Sequence, residues 1–238
     1  MKTIYTLALA SLLMLIAFDG KAATKTWQLT SGSGAWTTGS NWSGGTQPAA
    51  NDVIDFSLGG TVTVTAVPTF AANQLLVSGN TNVTLVPSAA ANTFTISGAA
   101  GTDLSIGSGS SLTIGSGTSY MNLTYSGTGN VATIDGSITF VSTSTTSGQN
   151  STYNTTNATT TVNGTFTQSN NAGTAAITSS TSTLVINGTY NHSGFTGGSG
   201  GTIPTATWNT NSNCNITGIV GATSIGGAGQ TFYNFNWS

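Results

Sequence analysis

The sequence predicts an all-β protein: a single-stranded, right-handed parallel β-helix (a β-solenoid) with an N-terminal cap. Three observations predict it. A short pattern recurs at Thr133-Ile134-Asp135-Gly136-Ser137-Ile138, Thr161-Val162-Asn163-Gly164-Thr165-Phe166 and Val185-Ile186-Asn187-Gly188-Thr189-Tyr190. Apolar residues alternate with polar ones along most of the chain, the period-two mark of a strand with one face inward. No stretch of the mature region carries helical periodicity.

Each copy holds a β-former, an Asp or Asn, a glycine, a hydroxyl residue and a large apolar residue. A glycine after Asp or Asn turns the chain cheaply, because glycine tolerates positive φ and Asx side chains bond locally. Gly136, Gly164 and Gly188 are therefore the expected turn glycines. A weaker fourth copy is Asn215-Ile216-Thr217-Gly218-Ile219. Two architectures compete. Asn-Gly between alternating residues signals separate hairpins. A period of 20–50 residues signals stacked coils, since one such unit cannot bury its apolar face alone. The period favours the coils.

Residues 1–22 read as a secretory signal peptide. Lys2 supplies the positive start, Ile4 to Phe18 is mostly apolar, and Gly20, Ala22 and Ala23 follow. The apolar run has the length of a signal core and is short for a bilayer span. Export to the cell surface or the medium is expected, with no membrane span after cleavage.

Residues 23–58 form the expected capping segment. Three of the five tryptophans lie here: Trp27, Trp36 and Trp42. The first coil of a solenoid would expose an apolar interior and a row of unpaired backbone groups. Terminal repeats are for that reason atypical. Tryptophan rings cover much area, and their N–H can stay wet. The functional alternative for these rings is a platform for sugars.

The order Trp27-Gln28-Leu29, Gly32-Ser33-Gly34-Ala35-Trp36, Asn41-Trp42-Ser43-Gly44, Pro48 and Asn51-Asp52-Val53-Ile54-Asp55-Phe56 resembles the opening of secreted β-helical surface proteins of Gram-negative bacteria, the adhesin and autotransporter-passenger type. The resemblance covers about 35 residues, counted from the segment expected to cap the repeats. It implies a passenger-like extracellular solenoid with no chemistry of its own.

Residues 59–238 are the expected coils. The alternating pairs run Val62/Val64, Leu75/Val77, Val83/Leu85, Phe94/Ile96, Leu104/Ile106, Leu112/Ile114 and Leu123/Tyr125. Two or three such strands make a coil, and the mature chain would hold roughly eight coils in a rod near ~40 Å long. Residues 142–161 are low-complexity and belong either to a polar face or to a loop. Gly197-Gly198-Ser199-Gly200-Gly201 reads as a flexible loop. Phe232, Phe235 and Trp237 would cap poorly if exposed, so the final coil is expected to continue in a longer protein or to associate with a partner.

Composition narrows the partners. Charged residues are 3% of the chain, with no Arg and no Glu, against 37% apolar residues. Phosphate affinity needs Lys and Arg, so nucleic acid is not an expected partner. Anionic membrane surfaces are disfavoured for the same reason. Cys214, the single cysteine, excludes an intrachain disulfide and reads as a small buried hydrophobe.

Chemistry is sparse. Asp52 and Asp55 are three apart on a strand and face opposite sides. Asp103 and Asp135 could meet on neighbouring coils, but Asp135 reads as a turn residue. His192 stands alone, so a zinc site lacks ligands. No catalytic, metal or cofactor site is expected. Asn-x-Ser/Thr sequons are frequent by composition; asparagines at recurrent turns could instead stack in ladders between coils.

The expected function is an exported, non-enzymatic adhesin or surface scaffold, whose ligand is a glycan or a cell-surface or matrix component. A polysaccharide-binding or polysaccharide-degrading β-helix is the alternative. Ice binding is a further one, because Thr61-Val62-Thr63-Val64-Thr65 presents Thr-x-Thr. That motif does not recur at coil spacing, so the sequence predicts against a flat threonine lattice.

Overall fold

A computed structural model describes residues 22–98, 101–144, 146, 148–170, 177–181, 183–194, 200–221 and 224–238. The signal reading of residues 1–22 therefore lies outside the described residues but for Ala22, as does most of the Gly197–Gly201 loop. The described chain is an all-β solenoid of about seven turns, built from three all-parallel sheets with almost no helix. The sheets have eight, nine and five strands.

The chain visits the three faces in turn. One circuit runs Gln74–Val77 on the eight-stranded face, Thr81–Pro87 on the nine-stranded face and Asn92–Ile96 on the five-stranded face. Leu104–Ile106 then returns to pair with Gln74–Val77 in parallel. Parallel neighbours need a long crossover, and here the rest of the coil supplies it. Among the described residues no strand pairs with its sequence neighbour as a hairpin, and antiparallel pairing is confined to isolated bridges such as Trp27 with Trp42. The hairpin alternative is thereby excluded within the described residues.

Alternation places the core. Leu112, Ile138, Phe166 and Tyr190 form one inward column of the nine-stranded face, stacked by strict register. All four are fully buried. Phe140 and Phe166 lie nearly parallel with ring centroids 5.5 Å apart, and Tyr153 packs against both. Burying a side chain of this size contributes about 1.5–3 kcal/mol, but only when the next coil covers it.

The turn glycines sit where expected for a different reason. Gly136, Gly164 and Gly188 do not adopt positive φ. A Cβ on Gly164 would overlap the carbonyls of Gly136 and Asp135, and one on Gly188 would overlap those of Gly164 and Asn163. Backbone stacked directly on backbone at this corner demands glycine. The proposed fourth copy is misplaced: Asn215 and Ile216 pair with Asn191 and His192 inside a strand. The fourth corner is Asn209 to Ser212, where Asn209 N–H bonds Ile186 O and Asn213 N–H bonds Gly188 O.

The low-complexity stretch is coil rather than excursion over much of its length. Thr152–Asn154 joins the five-stranded face and Ala158–Val162 the eight-stranded one. No helix among the described residues is long and apolar enough to cross a membrane.

At the N-terminal end Trp27, Trp36 and Trp42 are each 1% exposed. Trp36 meets Trp42 edge-on at 4.8 Å and Phe70 at 5.0 Å; Trp27 meets Trp42 at 4.9 Å. The N–H groups of Trp27 and Trp42 are not wet. Trp42 Nε1 donates to Trp36 O at 2.8 Å, and Trp27 Nε1 is buried with no partner. Rings buried this completely offer no platform to a sugar.

Candidate functional site

Outward residues of the nine-stranded face stand in columns, because side chains two apart on a strand share a side, and two of these columns run through five consecutive strands. Successive strands pair without slippage at these positions. One column is Thr63, Thr84, Thr113, Thr139 and Thr167, five threonines on five consecutive strands. Beside it stand Thr61, Asn82, Ser111, Ser137 and Thr165. Thr-x-Thr itself does not recur at coil spacing, as expected: it returns on this face only at Thr165 and Thr167. What recurs is a looser pattern that carries one threonine column: each strand presents Thr, Asn or Ser, then an inward residue, then Thr. Sequence inspection missed it because hydroxyl and amide residues replace one another in the second column. Coil lengths also vary, so the copies are not equally spaced along the chain.

Four of the five threonine hydroxyls are free. No side chain or backbone group among the described residues hydrogen-bonds those of Thr63, Thr84, Thr113 or Thr139, and Thr167 receives only a long 3.4 Å contact from Asn191. The second column is less open, since Ser111 Oγ donates to Asn82 Oδ1 at 2.7 Å. Neither column carries a charge. Further along the axis the face changes character. Asn191, Asn215 and Asn236 continue the threonine column. Asn215 donates to Asn191 at 3.0 Å and Asn236 to Asn215 at 2.9 Å. Amides long enough to reach the next rung satisfy each other, whereas threonine hydroxyls do not reach and remain available.

A second ladder lies on the corner. Asn163 donates to Asp135, Asn187 to Asn163 and Asn209 to Asn187, each at 2.7 Å. The sequence anticipated such stacking at the recurrent turns.

The aspartates do not converge. Val131 N–H donates to Asp103 Oδ2 at 2.9 Å, and Asp135 lies four residues further along that strand, about 13 Å away at ~3.3 Å per residue. Asp103 is fully buried and Asp135 is exposed in its ladder. Asp52 accepts the backbone N–H of Ala23 and Ala49, and Asp55 accepts the hydroxyls of Thr26 and Ser57. All four act within the scaffold.

Inside the coils, Gln168, Tyr190 and His192 form a buried polar group. Tyr190 Oη lies 2.9 Å from both the Gln168 amide and His192 Nδ1, and His192 Nε2 donates to Gly200 O at 2.6 Å. With Nε2 donating to a carbonyl, Nδ1 is the acceptor and Tyr190 its donor. Turning the Gln168 amide so that its nitrogen faces Tyr190 gives one proton to every step. Burial lowers the His192 pKa to about 4, with the Gly200 carbonyl opposing. Burial raises Cys214 to about 12 and pushes Tyr190 up as well. Cys214 is thus the buried hydrophobe that was expected.

The described surface openings are shallow and lie off the threonine face. One is lined by Thr128, Asn130, Thr156, Asn157 and Thr159, another by Thr205, Gly227 and Gln230. No group of three or more His, Cys, Asp or Glu side chains placed to hold a metal exists among the described residues.

No protein-family model, curated protein or solved structure matches this chain.

Proposed function

We propose that the chain is an exported, non-enzymatic β-solenoid that works as an adhesin or surface scaffold, with the outward side of the nine-stranded face as its contact surface. One observation carries this reading: five threonines stand in register on an uncharged face, and the hydroxyls of four of them, Thr63, Thr84, Thr113 and Thr139, have no partner among the described residues. Such a face offers hydrogen bonds repeated at the strand spacing of about 4.8 Å. It suits an extended, uncharged, repetitive ligand rather than a small molecule, which would need a concave pocket. The parallel solenoid also agrees with the resemblance of residues 24–58 to extracellular β-helical surface proteins.

The test is binding of the labelled, purified chain to glycan arrays and to cell or matrix preparations. Thr113→Lys/Thr139→Lys is compared with wild type. Retained circular dichroism with lost binding supports the reading. Binding unaffected by the two lysines refutes the assignment of the face, and sugar release in a reducing-end assay refutes the non-enzymatic part.

A further inference from the structure

We propose that the threonine face binds ice. The inference rests on the reading of this face as the contact surface and names its ligand: an ordered water lattice.

The repeat is the first argument. Tetrahedrally bonded water with O···O near ~2.75 Å places second-neighbour oxygens about 4.5 Å apart. Threonines on adjacent strands stand about 4.8 Å apart. The mismatch is about 0.3 Å per rung on these two spacings, or about 1.2 Å over the four steps from Thr63 to Thr167. That is roughly a quarter of one repeat, so all five hydroxyls stay opposite one row of water oxygens.

The chemistry is the second. A free threonine hydroxyl both donates and accepts, so it can occupy a water position. The methyl group beside it offers liquid water no hydrogen bond, which leaves the bonded waters at the hydroxyls as the ordered set. Thr63, Thr84, Thr113 and Thr139 have no competing protein partner among the described residues. The asparagine rungs beyond are self-bonded and mark the end of the patch.

Charge is the third. Ions orient their own hydration shells against any imposed lattice. Lys25 and Asp55 lie in strands of the eight-stranded face, and Asp103 is buried. Asp135 is held in the corner ladder. A short saccharide would ask for something else, an aromatic platform or a cleft. The described openings do not include any residue of the threonine column.

The experiment measures thermal hysteresis and uptake of labelled chain into a slowly growing ice crystal. Wild type is compared with Thr113→Lys/Thr139→Lys, and with Thr133→Lys/Thr161→Lys on the eight-stranded face as control. Circular dichroism verifies the fold of each. The expected result is ice activity in wild type and control, abolished in the first variant. No ice activity in wild type overturns the ligand, while binding to glycans or cells that the lysines at Thr113 and Thr139 abolish keeps the contact face. Absence of ice, glycan and cell binding together overturns the contact face too. Ice activity that survives lysines at Thr113 and Thr139 overturns the site.

Discussion

Asn187 donates its side-chain amide to Asn163 Oδ1 at 2.7 Å, 24 positions back along the chain. The contact is a rung of the corner ladder, and its partners above and below repeat it with the same length. Asn163→Ala removes two such bonds. Exposed hydrogen bonds contribute little singly, so a loss of about 1 kcal/mol is expected. Urea unfolding checks it, and a variant as stable as wild type would show the ladder to be passive.

Gly164→Ala tests direct stacking. Its Cβ would overlap carbonyls of the coil beneath, and backbone cannot step aside without moving a whole rung. A loss of about 2 kcal/mol or more is expected from this overpacking. Gly127 is the contrast. It has φ +75° with open space around a Cβ, so Gly127→Ala should cost only about 1 kcal/mol of backbone strain. Thermal melts of the two variants decide the order.

His192 gives the fold an acid-side weakness. Its folded pKa, about 4, is depressed below the ordinary 6.5. Between those values the unfolded chain binds the extra proton, so stability falls as pH falls from about 6.5 to about 4. The full loss is about 3 kcal/mol, and the dependence is flat below that window. Urea midpoints across this range should drop for wild type and stay level for His192→Gln in the same window.

Trp36→Ala empties a site packed by Trp42, Phe70 and Phe94. A loss of about 3–5 kcal/mol is expected. If the three tryptophans cap the solenoid, the variant should also self-associate, because the first rungs would then present open strand edges. Analytical ultracentrifugation at matched concentration reads this, and a monodisperse variant would limit the rings to a packing role.

Much of the architecture was legible in the chain. Val83/Leu85 and Leu112/Ile114 alternate plainly, and both pairs point inward in the same columns. The Asp135, Asn163 and Asn187 turns stack as their recurrence implied. The threonine column was hidden because Thr84 and Thr113 become neighbours only after the corners have absorbed unequal lengths of chain. The fourth corner was misread for the same reason: Asn209 and Ser212 fill it without the Asn-Gly signature, while Gly218 follows the strand beyond it. Local pattern identifies a strand, but the register that aligns distant strands is set by where each corner closes.

Glycine-on-carbonyl contact at the corners also constrains how this molecule can change over generations. One residue added within a strand would turn its inward side chains to solvent, whereas residues added at a loose bend leave the columns untouched. Gain or loss of a complete circuit preserves every vertical neighbour relation. Lineages of such a chain should therefore differ by whole circuits and by bend length, with the strands themselves nearly constant in size.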